Sequence, residues 1–102
     1  MKKKPHPKPP AVLAEKNIRV EFVYESPTAK EVCLSGDFNN WNFSSLPMRK
    51  DRNGIWRLRL PLTAGRHEYR FIVDGEWQCD PRAYDYVPNP FGSCNCVVEM
   101  RD

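Results

Sequence analysis

Apolar and polar residues alternate with a period of two over most of the chain. Ile18, Val20 and Phe22 alternate with Arg19, Glu21 and Val23 until Ser26-Pro27 interrupts the run, the signature of a half-buried strand. Glu31 to Ser35 predicts a second strand, after which the apolar pattern stops at Gly36-Asp37-Phe38-Asn39-Asn40-Trp41. Pro47 lies between Leu46 and Met48, so a strand over Ser44 to Lys50 must be short or at an edge. Asp51-Arg52-Asn53-Gly54 is a hairpin signal. Beyond it Trp56, Leu58, Leu60 and Leu62 alternate with Arg57, Arg59 and Pro61. After Thr63-Ala64-Gly65, one strand face carries His67, Tyr69, Phe71 and Val73, and the other Glu68, Arg70 and Ile72. Asp74-Gly75 predicts a two-residue hairpin into Glu76-Trp77-Gln78-Cys79. A long loop is expected from Asp80 to Gly92, with Tyr84 and Tyr86 pinning it down. The last strand runs from Ser93 to Met100, with Cys94, Cys96, Val98 and Met100 on one side and Ser93, Asn95, Val97 and Glu99 on the other. No amphipathic helix of ten residues or more is evident. About seven short strands at turn-punctuated spacing predict an all-β sandwich of immunoglobulin-like size.

Length and composition narrow the class further. A chain of 102 residues is one domain at most. No apolar run approaches the roughly 18 residues of a membrane span, and the N-terminal lysines precede no apolar stretch of a secretory signal. The net charge of +3 depends on where it lies. Lys2, Lys3, Lys4 and Lys8 sit in a proline-rich leader without acids, and beyond it acidic residues slightly outnumber basic ones. Residues 1–14 are therefore expected to be a disordered tail, a solubilising leader before a tether to acidic surfaces, and residues 15–102 the folded domain. A nucleic-acid-binding domain concentrates positive charge on its folded face instead. No membrane partner is expected either.

Cys33, Cys79, Cys94 and Cys96 include no C-x2-C pair, so no metal site is expected and the default is reduced cytoplasmic thiols that pack as small apolar groups. A disulfide or metal role for Cys79 with Cys94 or Cys96 is the alternative.

Two tryptophans stand out from the periodic pattern. Trp41 is presented by Asn39-Asn40 on a turn, and Trp77 lies just past Asp74-Gly75. An indole carried on a turn is a flat surface for a ligand; the bland alternative is packing, strongest for Trp77, which can lie across neighbouring strands. Trp56 shares a face with Leu58 and Leu60 and belongs to the core. His67, on an apolar face, reads as a packed histidine.

The motifs VCLSGDFNNW, GIWRLRLPLTAGRHEYRFIVDGEWQCDP and FGSCNCVVEM occur in order and at suitable spacing. Together they make the chain from about Asn17 to Met100 resemble carbohydrate-binding module family 48. That family includes the glycogen-binding domain of AMP-activated protein kinase β subunits and the front domains of isoamylases and branching enzymes. The resemblance implies an early-set immunoglobulin-like sandwich that binds α-1,4-glucan: glycogen, starch or maltooligosaccharide. It implies stacking tryptophans at Trp41 and Trp77, a hydroxyl-bonding cation at Arg70 and an apolar residue that threads the glucan at Phe91. It also implies a small hydroxyl at Ser93 and an amide at Asn95. Kinase β subunits have lysine at the Arg70 position and leucine at that of Phe91, and the loop before Phe91 is about one residue longer here.

Sugar chemistry suits these residue types. A pyranose offers an apolar C–H face to an indole, and its rim hydroxyls need donors and acceptors such as a guanidinium and an amide. Each residue also has a plainer role available. Arg70 can pair with Glu68 or Glu76, Asn95 can be an edge polar group, and Phe91 can anchor its loop. The leading expectation is a non-catalytic α-glucan-binding module without a cofactor. The alternative is an interaction module that docks a separate kinase or glycogen-metabolising enzyme. The chain stops at Asp102 without a scaffolding segment or catalytic barrel, so any such partner is expected to be a separate protein. An enzyme would need a carboxylate pair from Asp37, Asp74, Asp80 and Asp85, all in turns or loops.

Overall fold

The computed structural model describes residues 17–101; the expected basic leader lies outside them. The described residues form eight strands. They are β1 (Asn17–Glu25), β2 (Val32–Gly36), β3 (Arg49–Lys50), β4 (Ile55–Thr63), β5 (Gly65–Val73), β6 (Glu76–Gln78), β7 (Asp85–Pro88) and β8 (Cys94–Met100), with a 3-10 turn at Asp37–Asn39. The strand count exceeds expectation because β7 occupies the middle of the predicted loop. Its pairing with β8, from Asp85↔Val97 to Pro88↔Cys94, comes from a long-range partner rather than from a local pattern. Tyr86 does pin this segment, donating its hydroxyl to the Asp80 carbonyl. Tyr84 does not: it is 69% exposed.

Two antiparallel sheets form an immunoglobulin-like sandwich. One has the order β1-β4-β3; the other has the order β2-β5-β8-β7, with β6 also on β5. Phe22, Trp56 and Leu62 from the first sheet meet Leu34, Tyr69, Phe71 and Cys96 from the second in one buried core. Phe22 and Tyr69 pack edge to face across the layers with ring centroids 4.9 Å apart. Trp56 is buried as expected, and its indole N–H donates to the Ser26 carbonyl at 3.0 Å.

The outer face of the larger sheet is also partly covered. Cys33 and Ile72 are cross-strand partners on that face, and both are buried. Trp77 lies opposite Ile72 on β6, and a bridge joins Cys33 to Pro47, so β6 flanks β5 and residues 46–48 flank the free edge of β2.

Gly36 closes β2 where the chain leaves for the Trp41 turn. A Cβ there would come within 2.6 Å of both the Glu68 carbonyl oxygen and the Phe38 ring. Gly36→Ala is expected to cost about 1–3 kcal/mol through overpacking, measured by urea unfolding.

Candidate functional site

The Trp41 turn is built by short polar side chains. Asn39 Oδ1 accepts from the Gly36 N–H at 2.9 Å, while its amide nitrogen donates to the Asn42 carbonyl and to Ser45 Oγ. Asp37 fastens the turn to β5, accepting the Glu68 N–H at 2.9 Å and lying 3.1 Å from His67 Nδ1. His67 is thereby a packed residue, with its other ring nitrogen 2.9 Å from the Thr63 carbonyl. Asn40 and Trp41 have φ of 57° and 56°, the left-handed region that a bulky side chain rarely occupies. Trp41 is thus held out of the regular sheet at a conformational cost.

Trp77 arrives from the other side. Asp74 and Gly75 take φ of 49° and 87°, both positive as a tight primed hairpin requires. Asp74 does more than turn the chain: its Oδ1 accepts the N–H groups of Lys30 and Glu31 at 2.9 and 2.8 Å. The indole of Trp77 is 41% exposed and lies 6.5 Å from that of Trp41, with the planes inclined by 48°. Arg70 lies 5.9 Å from the Trp77 ring centre and donates to the Trp77 carbonyl at 3.4 Å. Its Nε is buried without a protein partner.

These groups meet in one groove of about 600 Å³, lined by Trp41, Arg70, Trp77, Asn89, Pro90, Phe91 and Asn95. Five of the six residues singled out from the sequence therefore share a surface. Ser93 is exposed and is not among the lining residues; its N–H donates to Asn89 Oδ1 at 3.1 Å. Phe91 is 88% exposed and forms an apolar wall. Asn95 is held at both ends, accepting from Asn89 at 3.1 Å and donating to Glu68 at 3.0 Å. One amide hydrogen and one lone pair stay free for a ligand.

Asn89 and Pro90 escaped the sequence reading. The Asn-Pro dipeptide was the available signal, since it favours turn initiation. Asn89 Oδ1 caps the Phe91 and Ser93 N–H groups, so this side chain shapes the wall that displays Phe91.

The acidic residues are engaged elsewhere. Asp80 accepts the Tyr69 hydroxyl at 2.6 Å and the Arg82 N–H at 2.9 Å. Burial, then the hydrogen bond and charge of Asp80, push the Tyr69 hydroxyl far above the ordinary tyrosine range. Burial likewise pushes the Cys96 thiol up to about 12. Both groups bind a proton more tightly when folded, so their stabilising contribution is full below the unfolded pKa values and is lost as pH rises towards the folded ones. For Cys96 the loss begins near about pH 8.5. Urea unfolding in reductant is expected to show stability about 1–2 kcal/mol lower at pH 10 than at pH 7, and Cys96→Ala to flatten that dependence. Among the described residues, no group of three or more His, Cys, Asp and Glu side chains could hold a metal ion, and no helix is long and apolar enough to cross a membrane.

A β-sandwich with a shallow aromatic groove on one sheet is the architecture of a binding module. The sequence pattern of the family described as the glycogen recognition site of AMP-activated protein kinase matches residues 18–102, and the chain belongs to that family. Among its relatives is 5'-AMP-activated protein kinase subunit beta-1 of Sus scrofa, 40% identical over 72 residues, which are 71% of this chain and 56% of that protein. Subunit beta-1 of Homo sapiens is 40% identical over 72 residues, 71% of this chain and 25% of that protein. Subunit beta-2 of Mus musculus is 37% identical over 91 residues, 89% of this chain and 32% of that protein. The chain thus spans about a quarter to somewhat over half of these relatives.

Proposed function

We propose that residues 15–102 form a non-catalytic module that binds α-1,4-glucan, as glycogen, starch or maltooligosaccharide. The observation that carries this is the convergence of Trp41, Trp77, Arg70 and Asn95 in one groove. The two indoles stack on successive glucose rings, and their 48° inclination suits a chain that curls. The Arg70 guanidinium and the Asn95 amide bond ring hydroxyls. Phe91 stands against the inner rim of a cyclic or helical glucan. The Ser93 hydroxyl, just before β8, is reached only by a longer chain.

The non-catalytic reading is supported by the carboxylates. Asp37, Asp74 and Asp80 bind backbone or buried groups, Asp85 accepts its neighbour's N–H, and none of the four lines the groove. No cofactor is needed for such binding. The relatives are named as kinase subunits, which supports the second reading, docking to a kinase or glycogen-metabolising enzyme in the cytoplasm.

Co-sedimentation with glycogen and with cellulose tests the first reading. Binding to glycogen alone, unchanged between about 50 and 200 mM salt, is expected. A fall of orders of magnitude over that range would indicate a polyanion ligand instead.

A further inference from the structure

The edge of β5 is shared by two strands. Its first half, Gly65–Tyr69, pairs with β8 and its second half, Phe71–Val73, pairs with β6, so β6 and β8 part at Arg70. Cys79 lies one residue past β6 and Cys94 opens β8. Their sulfurs are 3.3 Å apart, and the Cys79 thiol donates to the Cys94 carbonyl at 3.2 Å. Both are free and half-buried, whereas Cys33 and Cys96 are buried. Joining the pair would close the intervening chain into a ring. That ring contains β7 and the Asn89–Phe91 wall of the groove, and its two ends adjoin the segments that carry Trp77 and Asn95.

We propose that Cys79 and Cys94 form a reversible disulfide with a small-molecule disulfide such as glutathione disulfide as oxidant, and that this bond locks the groove wall onto β8. One cysteine thiolate attacks a glutathione sulfur, breaking its S–S bond and releasing one glutathione, which takes up the proton lost by the attacking thiol. The second cysteine, also deprotonated, attacks the protein sulfur of the mixed disulfide and expels the second glutathione. Two protein thiols lose two electrons and two protons; two glutathiones gain them. The sulfurs must approach by about an ångström to reach the bonded distance, and their proximity favours closure over a lasting mixed disulfide. The Cys79 hydrogen bond, then burial, hold the Cys94 thiol above its ordinary range. The reaction is therefore faster at mildly alkaline pH.

The test equilibrates the whole chain in reduced and oxidised glutathione mixtures, then quenches it in acid and maps alkylated peptides by mass. The expected product links Cys79 to Cys94, about 2 Da lighter than the dithiol. Amide exchange at Phe91 and Ser93 should slow about tenfold, and Tm should rise on the order of 10 °C. Cys79→Ser and Cys94→Ser should each abolish all three effects. Persistent glutathione adducts, a link to Cys96, or a Cys79–Cys94 link that leaves exchange unchanged would overturn the proposal. Its consequence for ligand rests on the α-glucan reading: the oxidised form should hold β-cyclodextrin about two- to tenfold more tightly through preorganisation. Equal affinity in both states would refute that coupling. A linked, exchange-protected protein that binds no α-glucan in either state would sink the glucan reading and leave the disulfide standing.

Discussion

Trp77→Ala and Trp41→Gly should each weaken β-cyclodextrin binding at least about tenfold by calorimetry, a loss of about 1.4 kcal/mol or more. The two substitutions fail for different reasons. Removing Trp77 takes away one stacking face and also the ring beside which the Arg70 guanidinium rests, 5.9 Å from its centre. Removing Trp41 takes away the second face, but glycine is at ease at the φ of 56° that tryptophan occupies here. Relief of that strain offsets the lost contact with Trp77, so the stability of Trp41→Gly should stay within about 1 kcal/mol of the unaltered protein. A side chain kept for packing would behave the other way, with stability falling and binding intact. Because each indole holds its own part of the same ligand, the double variant should bind no more than weakly, at millimolar levels or above.

Asp80→Ala is expected to destabilise the fold by about 2–4 kcal/mol, which for a domain of this size lowers Tm by roughly 10–20 °C. Asp80 is buried and its carboxylate holds the hydroxyl of Tyr69, itself 3% exposed in the core. A carboxylate acceptor makes this one of the stronger classes of hydrogen bond. Alanine would leave the buried Tyr69 hydroxyl without its partner, and an orphaned buried donor costs more than the net worth of the bond. Adding Tyr69→Phe to Asp80→Ala should therefore cost less than the two single changes combined. A change under about 0.5 kcal/mol for Asp80→Ala alone would show that the buried carboxylate is not structural.

What the sequence revealed and what it hid follow a physical division. Strands with strict alternation were legible: Trp56 to Leu62 and His67 to Val73 lie where the period placed them, because one face of each is buried against a partner sheet. The Asp74-Gly75 hairpin was legible because few residue pairs tolerate its backbone. The outward projection of Arg70 and Asn95 followed from the same alternation, and both line the groove. Strand β7 was hidden because Asp85–Pro88 carries no period and ends in proline; its pairing with β8 is a tertiary contact. Alternation also marked Val97 as outward, yet it is 1% exposed, set between its cross-strand neighbours Glu68 and Asp85. The part played by Asn89 was hidden because it depends on three hydrogen bonds within the 89–95 segment that no local pattern reports. The four cysteines looked alike in sequence, and only the folded seam separates Cys79 and Cys94 from the buried Cys33 and Cys96.

The most direct measurement is a tryptophan-fluorescence titration of the unaltered protein with β-cyclodextrin and maltoheptaose, with cellohexaose as control. Trp41 and Trp77 line the groove while Trp56 is buried, so a ligand in the groove must change the emission. Saturable change with both α-glucans at micromolar to millimolar concentrations, and none with the β-1,4 chain, is the expected result. A folded protein whose emission stays unchanged at millimolar α-glucan, or responds equally to cellohexaose, would contradict α-glucan recognition by this groove.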